Sequence, residues 1–225
     1  MDLLHLARGP LFQISIFIFI AGTAWRLFAL WRRAPGRDLA VPKRTDLFGA
    51  GLRTLAVRSW PRKGTHPSST LVTVNPYVFH IGLALIAFGY APHIAYIARL
   101  TSLSWPALPD AVVYIAAGLT IISLLLALLF RLTDPTLKLI SSFDDYAAWF
   151  ITFLPLLTGM ALITAPSSAA SLGQDPVYPA PLAIHLLSVE LLLVWFPFSK
   201  LMHALLVFPG RMQIGAAFAK RGVKA

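Results

Sequence analysis

Five apolar stretches, each long enough to cross a lipid bilayer, account for most of this 225-residue chain. A membrane-spanning helix needs about 20 consecutive, predominantly apolar residues. The stretches occupy residues 10–31, 71–97, 111–130, 146–166 and 181–209. Hydrophobic residues make up 57% of the chain and charged residues only 12%, a composition too apolar for an ordinary soluble domain. The sequence therefore predicts a single-domain, all-α membrane protein with five transmembrane helices.

Basic residues are concentrated on one side of the predicted bundle. The 32–70 connection carries nine Lys or Arg, the 131–145 loop carries two and the C-terminal tail carries four. The opposite face holds only Arg8 and Arg99. Because loops rich in Lys and Arg remain in the cytoplasm, we predict an outside N-terminus and a cytoplasmic C-terminus. The expected location is a bacterial inner membrane, which the chain crosses several times.

The basic cytoplasmic loop 32–70 is expected to contain a short interfacial helix around residues 46–60. Two roles for the loop remain open: an electrostatic anchor to anionic membrane lipid, or a docking surface for a cytoplasmic subunit. Nucleic acid is not an expected partner, because the basic residues flank apolar spans and build no separate basic domain. The chain has no cysteine, so it can supply no thiolate ligands for an iron–sulfur cluster.

The six histidines are distributed unevenly along the chain. His5 and His66 lie outside the predicted spans. The other four lie on the second and fifth spans: His80, His93, His185 and His203. Ionisable side chains within a membrane are costly and usually mark a functional site. This concentration indicates a set of metal or cofactor ligands.

The predicted depths of the four histidines place them in two pairs. Because the second and fifth spans run in opposite directions, His80 and His203 fall near the cytoplasmic side, and His93 and His185 near the outer side. Each pair could hold one haem iron between the two helices through neutral imidazole nitrogens. In an unbroken helix, the 18 residues from His185 to His203 would span about 27 Å and return to one face.

The spacing on the second span fits less well. His80 and His93 would lie about 20 Å apart and about 140° out of phase on an ideal helix. Pro92 and Gly89 could correct this phase by disturbing the helix just before His93. Alternatively, the four histidines could be packing residues that hydrogen-bond to neighbouring helices. Zinc is disfavoured, because the two levels are too far apart for one tetrahedral site.

Two segments carry a resemblance to a known family. The stretches FHIGLALIAFG (79–89) and IHLLSVELLLVWFPFSKLMH (184–203) resemble spans of the gamma subunit of respiratory nitrate reductase. The wider family includes cytochrome b subunits that partner heterodisulfide-reductase-like and sulfite-reduction-linked iron–sulfur proteins. The resemblance implies two b haems, with quinol oxidised near the outer one. Electrons would then leave the inner haem for a cytoplasmic iron–sulfur subunit.

The family's haem ligands can be carried over residue by residue. His80 and His203 match the two inner ligands, and His185 matches one outer ligand. Tyr90 stands where the nitrate reductase subunit has its other outer histidine. His93, three residues further on, is the expected replacement.

Three basic side chains in or beside the spans are candidate partners for haem propionates. Arg26 and Lys200, in the cytoplasmic half, could bind these carboxylates or extend to the lipid headgroups. Lys200 stands where the nitrate reductase subunit has an arginine. Arg99, at the outer end of the second span, could serve the outer propionates or a quinone, or could anchor the helix at the interface.

A quinone site is expected near the outer histidine pair, with Gly89, Tyr90 and Glu190 as its candidate residues. Glu190 lies five residues from His185 on the fifth span, roughly 8 Å deeper along the axis. It could take up a proton during quinone chemistry or make an interhelical hydrogen bond.

Together these features predict an electron-transfer subunit that connects the quinone pool with a cytoplasmic iron–sulfur partner. The direction of electron flow is open. The alternative is a membrane anchor or small transporter without haem, whose histidines are structural or carry protons.

Overall fold

The computed structural model describes residues 2–33, 41–60, 67–162 and 179–223, and within these ranges every regular element is helical. The α-helices are α1 (Leu3–Arg8), α2 (Pro10–Arg32), α3 (Leu47–Arg58), α4 (Pro67–Gly89), α5 (Ala91–Thr101), α6 (Asp110–Thr133), α7 (Pro135–Ile140), α8 (Phe143–Met160), α9 (Pro179–Trp195) and α10 (His203–Lys220). The predicted all-α fold is confirmed. Parts of the predicted cytoplasmic loop (34–40 and 61–66) and the end of the predicted fourth span (163–166) lie outside the described residues.

Four helical stretches are long and apolar enough to cross a membrane. They are Leu3–Arg32, Leu71–Gly89, Asp110–Thr133 and Pro179–Phe198. Large apolar side chains point outward along them; Phe17 is 71% exposed and Ile115 is 65% exposed. Such exposed apolar faces fit a lipid environment, and the chain has the character of a membrane protein.

The fourth predicted span corresponds to α8, which has 18 residues and begins at Phe143. Asp144 and Asp145 lie in its first turn, where carboxylates complement the positive end of the helix dipole. Ser142 and Asp145 form a capping box, in which each side chain satisfies a backbone N–H of the other. Helix α8 is not among the four stretches identified by length and apolarity, so the five-span topology remains a prediction.

The second predicted span differs from the expected single helix, because α4 ends at Gly89 and α5 begins at Ala91. Tyr90 between them is extended, with φ −80° and ψ 127°. Pro92 has no N–H to donate to the carbonyl of Phe88, four residues earlier. The indole Nε1 of Trp105 donates to that carbonyl instead, at 2.6 Å. The break thus follows from Pro92, and Trp105 in the following loop satisfies the carbonyl that is left without a helical partner.

The fifth predicted span also ends early. Its helix α9 stops at Trp195, and two 3₁₀ turns, Phe196–Phe198 and Lys200–Met202, precede α10. Pro197 cannot donate a helical hydrogen bond, and Ser199 is extended with φ −115° and ψ 179°. His203 is therefore the first residue of a new helix. The position of His203 therefore cannot be calculated from rotation along a single unbroken helix that runs to residue 209.

Small residues and polar contacts hold the spans together, as is common in membrane bundles. Helix α4 packs along α6, where a Cβ at Gly82 would collide with the hydroxyl of Thr120. Asn75 Nδ2 donates to the carbonyl of Ser123 at 2.9 Å, and the Ser123 hydroxyl donates back to the carbonyl of Asn75. Helix α9 packs against α2 and α8. These contacts place α4 and α9 in different parts of the bundle.

Helices α3 and α10 pack closely on each other. The helix predicted around residues 46–60 is present as α3, and the Asp46 carboxylate accepts a hydrogen bond from the Gly49 N–H at 2.9 Å. The close approach depends on two glycines. An added Cβ at Gly51 would lie 2.9 Å from the carbonyl of Met212, and one at Gly215 would meet Thr54.

Candidate functional site

The structure brings His80 and His203 together. His80 lies on α4 and His203 begins α10, and their imidazole ring centroids are 5.9 Å apart. The two ring planes are perpendicular, at 90°. Both side chains are exposed at the surface of the helices that carry them. This is the pair that the sequence places near the cytoplasmic side.

The structure also brings His93 and His185 together. Their ring centroids are 6.2 Å apart, and the ring planes are nearly parallel at 8°. Both residues are half-buried. His93 reaches this position because the break at Tyr90 lets α5 start in a new direction. The pairing expected from sequence depth is thus the pairing in the fold.

Backbone carbonyls fix the orientation of the first pair. His80 Nδ1 lies 2.6 Å from the carbonyl oxygen of Pro76, and His203 Nδ1 lies 2.8 Å from that of Lys200. A carbonyl oxygen can only accept, so Nδ1 carries the proton in each of these hydrogen bonds. In the neutral imidazole, the lone pair then lies on Nε2, which is the atom available to a metal.

The second pair is held in a similar way. His93 Nδ1 lies 2.9 Å from the carbonyl of Ile86, a group near the end of α4. His185 Nδ1 lies 3.1 Å from the hydroxyl of Thr158 on α8. Because Thr158 Oγ1 donates its proton to the carbonyl of Leu154 at 2.8 Å, it accepts from His185. In all four histidines these hydrogen bonds use Nδ1, which leaves the lone pair of the neutral ring on Nε2.

The centroid separations of both pairs, 5.9 Å and 6.2 Å, are close to the separation of two imidazoles bound to one metal ion. With metal–nitrogen bonds of about 2.0 Å, trans imidazoles have ring centroids separated by about 6 Å. The rings would still have to turn to point both Nε2 atoms at a shared iron, because the His80–His203 contact is edge-to-face and the His93–His185 rings are stacked. Haem fills the remaining four positions itself, so two protein ligands complete the coordination.

A bare metal ion fits less well. Across residues 2–33, 41–60, 67–162 and 179–223, no group of three or more His, Asp or Glu side chains could hold a metal ion. Structural zinc sites use four protein ligands and catalytic sites use three. The pairs therefore suit a prosthetic group that brings most of its own ligands.

Both pairs join helices that do not pack extensively on each other. Among the described helices, α4 packs along α6, whereas α9 packs on α2 and α8, and no extensive packing joins α4 to α9 or α10. The imidazoles therefore face each other across a boundary between helices, where side chains make the connection.

The ammonium group of Lys200 forms an ion pair with the carboxylate of Asp145. Its Nζ is 2.5 Å from Asp145 Oδ2, and Arg131 contacts the other oxygen of Asp145 at 3.1 Å. The Lys200 N–H also donates to Asp144 at 2.8 Å, which ties the turn before His203 to the start of α8. The assignment of Lys200 to haem propionates remains a prediction, with Asp145 as a competing partner.

The same network lowers the pKa of Asp145 to about 2. Burial alone would raise this pKa, but the hydrogen bonds from Lys200 and Ser142 and the positive charge of Arg131 more than offset that effect. Since the folded pKa lies below the ordinary 3.8, the stabilisation is present above pH 4. It is lost as the pH falls toward 2.

We expect Asp145→Asn to reduce the free energy of unfolding by about 1 kcal/mol at pH 7. This value is smaller than the pKa change alone would give, because solvent screens the charges of Lys200 and Arg131. Thermal unfolding of the detergent-solubilised protein measures this difference. The gap between the two proteins should narrow as the pH is lowered from 4 toward 2. Asp134→Asn, at the start of α7, is the matched control for removing one capping carboxylate. A gap that stays constant with pH would contradict the ionic origin.

The other two candidate propionate partners, Arg26 and Arg99, make no contact with the histidine pairs among the described residues. Arg26 is exposed on α2 and has no partner among the described residues. The guanidinium carbon of Arg99 lies 5.5 Å above the ring of Tyr96, a cation–π contact at the end of α5. No contact joins either arginine to a histidine within the described residues.

The three candidate quinone residues have distinct surroundings. Gly89 packs against Leu108, whose N–H donates to the Gly89 carbonyl at 2.8 Å. The ring centroid of Tyr90 lies 5.3 Å from that of His93 and 6.4 Å from that of Tyr114. Glu190 is only 4% exposed, and its Oε1 has no hydrogen-bond partner among the described residues.

Thr158 and Ser188 hold His185 in place, and neither residue was identified from the sequence. The hydroxyls of Thr158 and Ser188 lie 3.0 Å apart, and Ser188 donates to the carbonyl of His185 at 2.6 Å. A Cβ at Gly159 would lie 3.2 Å from the His185 ring, so this glycine lets the ring approach α8. The position of Ser188, three residues after a candidate ligand, was the one available signal.

Comparison with known proteins finds a relative that is similar over nearly the whole chain. No protein-family model matches the chain. A protein of Nitratidesulfovibrio vulgaris (strain Hildenborough) is 30% identical over 221 residues, which cover 95% of this chain and 93% of that protein. The similarity thus extends over all the helices that carry the histidine pairs. The chain belongs to the same protein family as this Nitratidesulfovibrio vulgaris protein.

Proposed function

We propose that this chain is a membrane cytochrome b subunit with two b haems. His80 and His203 bind one haem iron, and His93 and His185 bind the other. The observation that carries the proposal is the pairing itself: the two pairs of imidazoles lie at about the centroid separation expected when two imidazoles bind one iron, and the hydrogen bonds of all four rings use Nδ1.

The chain's own residues hold the imidazoles in place. Hydrogen bonds at Nδ1 select the tautomer and fix the ring orientation, as outer partners of metal-binding histidines commonly do. A haem with two imidazole ligands passes single electrons and offers no open position to a substrate. The proposed function is therefore electron transfer, and the chemistry on the final substrate belongs to a partner protein.

The proposed partners follow from the resemblance to the nitrate reductase gamma subunit and from the charge pattern. The chain would exchange electrons between the quinone pool and a cytoplasmic iron–sulfur subunit in a bacterial inner membrane. The face rich in Lys and Arg, near His203, would be the cytoplasmic one. In this arrangement α8 is the fourth of five spans, and the His80–His203 pair lies closer to the partner.

The proposed quinone site lies beside the His93–His185 pair. Tyr90 lies in the break after Gly89, and its ring is beside that of His93. Glu190 is a buried carboxyl group with one unpartnered oxygen, and it would supply or accept a proton. Arg99, at the end of α5, would attract the polar ring substituents of a quinone.

The propionates of the haems require cationic or hydrogen-bonding partners. Arg26 is the proposed partner on α2, since its guanidinium is not already paired within the described residues. Lys200 would serve as a second partner with its remaining N–H donors, while Asp145 keeps it oriented.

The absorption spectrum of the purified protein tests the proposal. We expect b-type bands that sharpen on reduction, and about two haems per chain in the pyridine haemochrome assay. One haem per chain would show that only one pair binds iron. A colourless preparation from cells supplied with haem would reject the proposal and favour a membrane anchor or transporter.

A further inference from the structure

A pocket at the junction of α3 and α10 is separate from the histidine pairs. It has a volume of about 330 Å³ and is lined by Arg58, Trp60, Arg211 and Ile214. Arg58 lies in the last turn of α3, and Arg211 lies within α10. Two guanidinium groups therefore line one small opening.

The pocket has positive charge without a matching carboxylate. The guanidinium carbon of Arg58 lies 5.8 Å above the ring of Phe218, and its Nε is buried without a hydrogen-bond partner in the part of the chain that the structure describes. Arg211 Nη1 donates to Ser59 Oγ at 2.9 Å. The described carboxylates form no ion pair with either arginine.

An oxyanion would complete this arrangement. Two guanidiniums that share a pocket repel each other, and a buried N–H without an acceptor costs free energy. A phosphate can accept from the terminal N–H groups of Arg58 and from the free N–H groups of Arg211 at once, while the Nε of Arg58 stays buried. Arginine is the side chain best suited to such forked binding of phosphate.

The surroundings of the pocket indicate where the phosphate comes from. The Tyr77 hydroxyl donates to the Ser59 carbonyl at 2.7 Å, which holds this pocket against the first half of the apolar stretch Leu71–Gly89 of α4. Trp60 is 75% exposed and Ile214 is 43% exposed. Tryptophan beside arginine at the end of an apolar span is typical of the lipid headgroup level.

We propose that Arg58 and Arg211 form a binding site for the phosphate of an anionic phospholipid, with Trp60 and Ile214 contacting the lipid's glycerol and acyl region. The site is independent of haem. It would fix the α3–α10 pair to the membrane surface at one defined point.

Calorimetric titration of the purified full-length protein with short-chain phosphatidylglycerol tests this site. Neutral detergent and 1 M salt are used, because a Debye length of about 3 Å removes diffuse attraction but spares direct hydrogen bonds. The variant Arg58→Gln/Arg211→Gln should bind at least about tenfold more weakly. The charge-matched control Arg44→Gln/Arg53→Gln, with both residues exposed outside the pocket, should change binding by less than about twofold.

Two further measurements separate the lipid from other sources of phosphate. Trp60→Ala, which removes an exposed side chain, should weaken phosphatidylglycerol binding but leave the affinity for inorganic phosphate unchanged. Equal loss in both double variants would overturn the site in favour of diffuse electrostatics. Equal affinity for phosphatidylcholine, or full competition by millimolar inorganic phosphate, would overturn the assignment to an anionic lipid. Haem content and circular dichroism report whether each variant is folded.

Discussion

His203→Ala is expected to lower the haem content from about two to about one per chain, because an iron with a single protein imidazole loses the ligand that closes its coordination. The structure gives a reason for choosing this residue. His203 is the first residue of α10, and its Nδ1 bonds to the carbonyl of Lys200 within the preceding turn. No other described histidine lies within ring-contact distance of His80 to replace it.

The haem-to-protein ratio and a redox titration measure this loss. The wild-type protein should titrate in two steps and the variant in one. His5→Ala is the matched control, since His5 is exposed on α1 and contacts neither pair. A variant that keeps both haems would exclude His203 as a ligand. Loss of both haems together with helical content would indicate unfolding, and His80→Ala then provides the second test of the same pair.

The ring angles give a second, independent readout of which pair is lost. Parallel imidazole planes separate the energies of two iron d orbitals, whereas perpendicular planes leave them nearly equal. If each pair binds haem and keeps its ring angle, the oxidised His80–His203 centre, at 90°, should give a strongly anisotropic low-spin signal in electron paramagnetic resonance. The His93–His185 centre, at 8°, should then give an ordinary rhombic signal. His203→Ala should remove only the first signal.

Much of the helical content and the pairing of the histidines could be predicted from the sequence, and the reason is depth. Apolar runs define where each span begins, so a histidine's position within its run gives its height in the bilayer. The apolar runs predict one height for His80 and His203 and another for His93 and His185, whichever way each helix is rotated. Helical phase was less informative, because it depends on an unbroken helix and both spans are broken.

The breaks themselves could be anticipated only in part. Pro92 and Gly89 marked a disturbance before His93, but the structure shows that the loop partner Trp105 completes it by capping the carbonyl of Phe88. On the fifth span, apolarity continues past Pro197, so hydropathy gave no sign of the two 3₁₀ turns. Apolar composition indicates which segment lies in lipid, but it does not show where the helical backbone hydrogen bonds are interrupted.

Partners that come from other helices could not be predicted at all. Lys200 was expected near a propionate, yet its Nζ lies on Asp145, 55 residues away in the chain. Thr158, which accepts from His185, is 27 residues from it. Such contacts depend on how the helices rotate and cross, which single-sequence periodicity does not determine.

His93→Ala is expected to remove the other haem and to leave the His80–His203 centre intact. His93 and His185 face each other with Nδ1 atoms held by Ile86 and Thr158, so the loss of one imidazole leaves that iron with one protein ligand. The haem content should fall from about two to about one per chain, with the rhombic resonance signal lost. This outcome would assign the outer ligand to a position three residues beyond that of the nitrate reductase subunit.

Tyr90→Phe is the control that distinguishes the two candidate positions. Tyr90 lies beside His93, with ring centroids 5.3 Å apart, and removal of its hydroxyl alone leaves the packing of the ring in place. If His93 is the ligand, Tyr90→Phe keeps both haems, and any effect falls on the rate of quinol oxidation by the reconstituted complex. If the phenolate of Tyr90 binds the iron instead, Tyr90→Phe loses one haem and His93→Ala retains two. The two variants therefore give opposite results under the two assignments, since only one of these neighbouring side chains can occupy the position opposite His185.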